Sequence, residues 1–219
     1  MTEFNFPVDE DYARKHNEFF RDSRQTQISA GVLAALLILA IVILNLVVKH
    51  STITLLASVA LGGFAVLCLL VIPFLPKAMG SPQQYYDMYA LTPAVVAQVN
   101  ARDVVLLALV DANVNAPSVR NGRFLSPALV TRVVTSIPGV PREVGGRVPS
   151  MAVTGVRTLK SRDQFEEISP MPVAWGTPDE SVWSSAERAI PTSQWEELEA
   201  NLGRCDEVLA TKRNILPLD

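Results

Sequence analysis

Between positions 28 and 75 the chain reads ISAGVLAALLILAIVILNLVVKHSTITLLASVALGGFAVLCLLVIPFL, and only Lys49 and His50 in this stretch can carry a charge. Residues 28–48 are 21 uncharged positions, enough at a helical rise of about 1.5 Å per residue to cross a hydrocarbon layer of about 30 Å. Residues 52–75 are equally uncharged, with Pro73 near their end, where losing one backbone hydrogen bond costs least. Neither run carries the polar stripe of a helix packed in a water-soluble core. A cleaved signal fits poorly, because the first apolar core is too long, begins late, and is followed almost at once by the second. The stretch predicts a transmembrane helical hairpin.

So short a connection makes the helices antiparallel neighbours and puts both chain ends on one side. Arg14, Lys15, Arg21 and Arg24 precede the first span and Lys77 follows the second, against Lys49 in the turn. Cytoplasmic loops collect such cations, so the expected location is the cell inner membrane, two-pass, with both termini cytoplasmic. The lipid bilayer is thus the first expected partner. Ser58 and Gly62 lie four apart on the second helix, and Gly31 and Ala35 on the first. Small residues at this spacing let helix backbones approach closely. Self-packing of the hairpin is the simpler reading, and Ser58 and Gly62 also stand as candidate contacts for another membrane subunit. Asn45, near the outer end of its span, is placed to reach water. No ionisable group lies at membrane depth to form a proton or ion relay.

Outside the hairpin the character changes. A net charge of -3 offers no basic surface for phosphates, so nucleic acid is not an expected partner. The 2 cysteines, Cys68 and Cys205, and the 2 histidines, His16 and His50, are too few and too separated for a disulfide or a protein-only zinc or haem site. No metal and no cofactor are expected. Before the first span, Asp9 can cap a helix with Tyr12, His16, Phe19 and Phe20 on one face, an amphipathic segment suited to the membrane surface. Tyr85, Tyr86 and Tyr89 suit an interfacial belt or the start of a soluble core.

From Thr92 the pattern turns to strands. TPAVVAQV (92–99) and VVLLALVDANV (104–114) flank a turn-rich Asn100–Asp103 and predict a β-hairpin. Residues 129–137 alternate, VGGRVP (144–149) reads as a turn before SMAVTGVR, and MPVAW (171–175) supplies a last short strand. Five strands so spaced predict a small curved barrel of OB-like or SH3-like type. Thr177-Pro178-Asp179-Glu180 and Ser193–Glu196 read as capping boxes, the second opening a helix with Trp195, Leu198, Leu202, Cys205 and Leu209 on one stripe. The expected fold is membrane α+β. It divides into an amphipathic helix (1–27), the hairpin (28–75), a β-rich cytoplasmic domain (76–177) and C-terminal helices (178–219).

Little in the soluble part suggests catalysis. Gly145-Gly146 lacks the lysine and following helix of a phosphate loop, and no histidine lies beyond His50 to act as a base. Glu166, Glu167, Asp179 and Glu180 read as solvated or capping carboxylates. The most distinctive segment is ISPMPVAWGTPD (168–179), in which prolines flank Met171 and Trp175 adds a large amphipathic surface. It reads as a closing strand, with Met171 and Trp175 as candidate partner-binding residues if that edge is open.

That segment, with VDEDYARKHN (8–17), Pro76-Lys77-Ala78-Met79-Gly80 and Arg147-Val148-Pro149 before AVTG (152–155), resembles an actinobacterial family of membrane proteins, common in corynebacteria, that carries domain of unknown function 3239. The resemblance implies a two-helix anchor with a cytoplasmic β-rich domain and brings no catalytic residues. The expected function is a non-catalytic accessory or scaffold subunit of an inner-membrane assembly, respiratory or cell-envelope, partnered by other membrane-protein subunits. The alternative is a tethered module whose barrel mouth takes a lipid or acyl chain.

Overall fold

The computed structural model describes residues 4–48, 51–113, 119–120, 122–124, 126–155 and 165–218. Lys49 and His50 of the expected turn, and Val156 and Arg157 of an expected strand, lie outside them. The chain divides into two compact units, Glu18–Ser81 and a second built from the residues up to Asn17 together with those from Pro82 onward.

The first unit is a helical pair, α2 (Glu18–Val47) and α3 (Thr52–Met79). Both helices are long and apolar enough to cross a membrane, and only 6% and 11% of their apolar windows are buried, which separates them from the core helices of a water-soluble protein. Their pairing is antiparallel. A Cβ at Gly31 would lie 3.7 Å from the Ile72 Cδ1, one at Gly62 would lie 3.9 Å from the Ile41 Cδ1, and Asn45 Nδ2 donates to Ser58 Oγ at 2.9 Å. Ala34, Ala65 and Thr54 are buried, whereas Leu36, Leu55 and Leu67 are exposed. Small residues therefore make the seam and large ones face outward, as lipid surroundings favour.

The second unit begins with α1 (Glu10–His16), capped by the Asp9 carboxylate accepting from Tyr12 N at 3.0 Å. The helix expected to run on through Phe20 instead breaks at Asn17, which is extended and wholly buried. Residues 4–17 belong to this globular unit, in place of the single amphipathic segment expected over 1–27.

Its strands are β1 (Leu91–Thr92), β2 (Ala94–Val99), β3 (Val104–Asp111), β4 (Val119–Arg120), β5 (Arg123–Phe124), β6 (Pro127–Val134), β7 (Ser150–Thr154), β8 (Ile168–Pro172) and β9 (Ile215–Pro217). They form a four-stranded sheet β2-β3-β6-β9, a three-stranded sheet β1-β7-β8 and the β4-β5 ribbon, all antiparallel. The expected β2-β3 hairpin forms, closed by Asn100 N donating to Asp103 O at 2.9 Å. All 8 residues of β3 are buried: besides its ladder partners β2 and β6, the strand contacts α6 (Thr192–Ala200), β8 and β1. This is why β3 reads as an unbroken apolar run.

No closed OB-like or SH3-like barrel forms among the described residues. The sheets end on β8 and β9, and both outer edges are short of donors. Gly155 N donates to Glu167 O and Val173 N to Pro149 O, so Pro170 and Pro172 sit at the positions of β8 that point away from β7. On β9, Thr131 N donates to Asn214 O and Leu218 N to Pro127 O. The outward positions are then Ile215, whose N–H is taken by Thr211 Oγ1 at 3.0 Å, and Pro217. Proline has no N–H to extend a ladder, so neither edge accepts another strand readily.

Other expected boundaries shift. MPVAW is strand only to Pro172, and Val173–Trp175 is a 3₁₀ turn. Helix α5 (Glu180–Ala189) is capped by Asp179, which accepts from Ser181 N at 2.9 Å, not by Thr177. Pro191 precedes α6 without a side-chain cap, while Ser193 Oγ donates to Gly122 O at 3.2 Å. The final stripe is broken at Asn201 by a 3₁₀ turn before α7 (Cys205–Leu209), so Val208 rather than Leu209 is the buried member beside Trp195, Leu198 and Cys205.

Candidate functional site

The four residues read as partner contacts are not brought together. Ser58 and Gly62 face α2, where Asn45 donates to both Ser58 Oγ and the Ile41 carbonyl at 2.8 Å. Asn45 therefore serves the seam while remaining exposed, as expected near the end of its span. Met171 and Trp175 are each 0% exposed, so neither can be a docking surface. Trp175 Nε1 donates to Ser136 O at 2.9 Å and the Arg132 guanidinium sits 5.3 Å from its ring. Met171 Sδ accepts from Asn17 Nδ2 at 3.2 Å. The prolines that made this segment look like a binding edge blunt it instead.

What the segment does build is a clasp. Asn17 Nδ2 also donates to Tyr86 Oη at 3.1 Å, and Tyr86 Oη donates to Pro172 O at 3.1 Å. Gln83, on α4 (Pro82–Asp87), accepts from Val8 N at 2.9 Å and donates to Phe6 O at 3.0 Å. Phe6 meets Tyr86 edge-on with centroids 5.3 Å apart. Both rings press on Gly176, where a Cβ would lie 2.9 Å from Tyr86 Cζ, so the glycine is required by close approach. Burial pushes the Tyr86 phenol far above its ordinary value, and it remains a neutral donor. Of the three tyrosines, Tyr86 is core, while Tyr85 and Tyr89 stack edge-on at 5.2 Å.

A surface groove of about 310 Å³ lies between the 139–149 loop and α5. Val140, Val148 and Ala174 give it an apolar floor, Trp183 a wall, and Glu180 and Glu187 an acidic rim. Trp183 Nε1 donates to Thr177 O at 2.9 Å, and the indole lies so close over Gly139 that an added Cβ there would collide with it. Gly139 has φ 74°, a conformation open to glycine at little cost. Arg147 lines the groove with its charge committed: Nε meets Glu199 at 2.8 Å, Nη1 meets Glu187 at 3.4 Å, and the guanidinium lies 4.9 Å from the Trp195 ring. Glu199 is the main reason its pKa is raised. Sequence reasoning missed this groove, whose only local signals were the Pro138-Gly139 turn and a tryptophan one turn into α5.

A second hollow of about 370 Å³ beside β9 is lined by Phe165, Thr211 and Lys212 and by the ion pair of Arg213 with Glu166. Asp179, considered as an acid or base, is the α5 cap, and its bond from Ser181 holds its carboxyl below the ordinary range. Among the described residues no group of three or more His, Cys, Asp or Glu could hold a metal ion.

Residues 77–206 match DUF3239, described as a protein of unknown function. The chain belongs to that family. The DUF3239 match begins at the last turn of α3 and ends in α7, so it takes in most of the globular unit and leaves out most of the helical pair. A crystal structure of a candidate membrane protein from Corynebacterium diphtheriae is similar, at 46% sequence identity and a TM-score of 0.53, covering 59% of this chain and 100% of that one. No curated protein matches. The resemblance to that family thus holds over residues 77–206, which include ISPMPVAWGTPD.

Proposed function

We propose that this DUF3239 chain is a non-catalytic scaffold subunit of an inner-membrane assembly, respiratory or cell-envelope, with two spans and both termini cytoplasmic. The observation that carries the reading is the clasp. Gln83 and Tyr86, just after the hairpin, bond Phe6, Val8 and Asn17, just before it. The globular unit is therefore closed by bonds between the segment that precedes the hairpin in sequence and the one that follows it. A device of that kind suits presentation of a rigid surface at a membrane better than a free tether would. The cation distribution around the spans supports the orientation.

Extraction in a mild detergent followed by size analysis tests the proposal. Co-migration with other membrane proteins, lost when the hairpin is replaced by an unrelated pair of spans, is expected. Migration only as a free monomer overturns it. Among the described residues no closed barrel offers the lipid-binding alternative a mouth, and native mass spectrometry that finds no co-purifying lipid removes it.

A further inference from the structure

Resting on the scaffold reading, we infer that the groove between the 139–149 loop and α5 receives an arginine side chain from an extended segment of a partner protein. At about 310 Å³ the groove lies at the small end of ligand sites, sized for a side chain or two rather than a whole cofactor. Its chemistry selects the side chain. The Trp183 indole is fixed from two sides, by Thr177 O and by the backbone at Gly139, and a rigid indole face attracts a cation and stacks well with a planar guanidinium. The Glu180 carboxylate on the rim is exposed, and the described residues show no ion pair to it. Glu187 is held only loosely, at 3.4 Å from Arg147.

Among the described residues, the one cation lining the groove is already engaged. Arg147 is bound to Glu199 and lies over Trp195, which leaves no free positive charge for an anionic ligand. The surroundings point the same way: between Pro178 and Leu209 the cations are Arg188 and Arg204, against acidic residues that include Glu196, Glu197 and Glu199. With no ion pair to Glu180 among the described residues and Arg147 committed, a basic polypeptide suits this rim better than an anionic surface does. A half-buried, immobilised tryptophan is also the kind of anchor that protein-binding hot spots favour.

The test uses the full chain in nanodiscs and two fluorescein-labelled hexapeptides, Pro-Arg-Pro-Arg-Pro-Arg and Pro-Glu-Pro-Glu-Pro-Glu, read by anisotropy. Saturable binding of the arginine peptide alone is expected. It should weaken about tenfold in Glu180→Lys, a change at an exposed position that spares the fold, and weaken further as salt rises from low to physiological strength. Trp183→Ala should abolish it, with circular dichroism confirming that the unit stays folded. Equal binding of the glutamate peptide, unchanged affinity in Glu180→Lys, or no saturable binding overturns the inference. Size analysis of the detergent extract keeps the two ideas apart. Persistent co-migration without arginine-peptide binding sinks the groove and spares the scaffold, and peptide binding by a chain extracted only as a monomer does the reverse.

Discussion

Strand β3 and helix α3 are both runs of valine, leucine and alanine, yet every residue of β3 is buried while Leu55, Leu56, Phe64 and Leu67 of α3 stand exposed. The difference lies in what surrounds each. In the globular unit apolar area is removed from water, at roughly 25 cal/mol per Å², and side-chain size contributes directly to stability. In the helical pair, lipid is as apolar as leucine, so large side chains gain little by turning inward, and the seam goes to Gly31, Ala34, Gly62, Ala65 and the Asn45–Ser58 bond.

Truncation should separate the two regions most sharply. Trp175→Ala removes a fully buried indole and its bond to Ser136, and should cost about 3–5 kcal/mol in denaturant unfolding of the globular unit. Leu36→Ala, an equally drastic loss from an exposed position on α2, should leave that unfolding unchanged. Comparable losses would mean that α2 is a core helix after all.

Charge should rank next and act the other way round. Ile38→Arg, near the middle of the first span, should cost about 2.5–3.5 kcal/mol of insertion, read as a shift from the membrane fraction to the soluble or degraded one. An arginine in place of Val133, which is exposed on β6, should be tolerated. Smaller again is the clasp: Tyr86→Phe removes the bond accepted from Asn17 Nδ2 and the one donated to Pro172 O, and should cost about 1–3 kcal/mol. The corresponding polar deletion in the seam, Ser58→Ala, should cost only about 0.6 kcal/mol, measured by thermal unfolding in detergent.

The smallest effect concerns pH. Asp179 is an acid whose folded pKa is depressed by the bond from Ser181, so its contribution is complete above the unfolded value of about 3.9 and is lost as pH falls through the folded one. Asp179→Asn preserves a capping oxygen and should flatten that acidic limb of the stability curve, by a small loss of stability at neutral pH and none below the folded pKa. An unaltered acid limb would show that Asp179 caps without any charge contribution.

Reading the chain alone was enough for the hairpin, the β2-β3 pair and the approximate places of the C-terminal helices. Each depends on a local pattern: absence of charge for a span's length, an Asn-Ala-Arg-Asp turn between β-branched runs, proline and acid at helix starts. Other features were hidden. Nothing local says that β8 and β9 turn their prolines outward, because which residues of a strand face a neighbour depends on register, and register depends on distant partners. The same limit hid the roles of Asn17 and Gly176, whose partners Tyr86 and Phe6 lie far away in sequence.

Sequence by itself determined that residues 28–48 and 52–75 suit an apolar solvent, since a run of that length with no charge can be satisfied there whatever the rest of the chain does. Only the tertiary structure decided that Met171 and Trp175 are core, that the sheets stay open, and that Trp183 walls a groove. Burial and cavity shape are properties of pairs of segments, and their free energy appears only when residues distant along the chain meet.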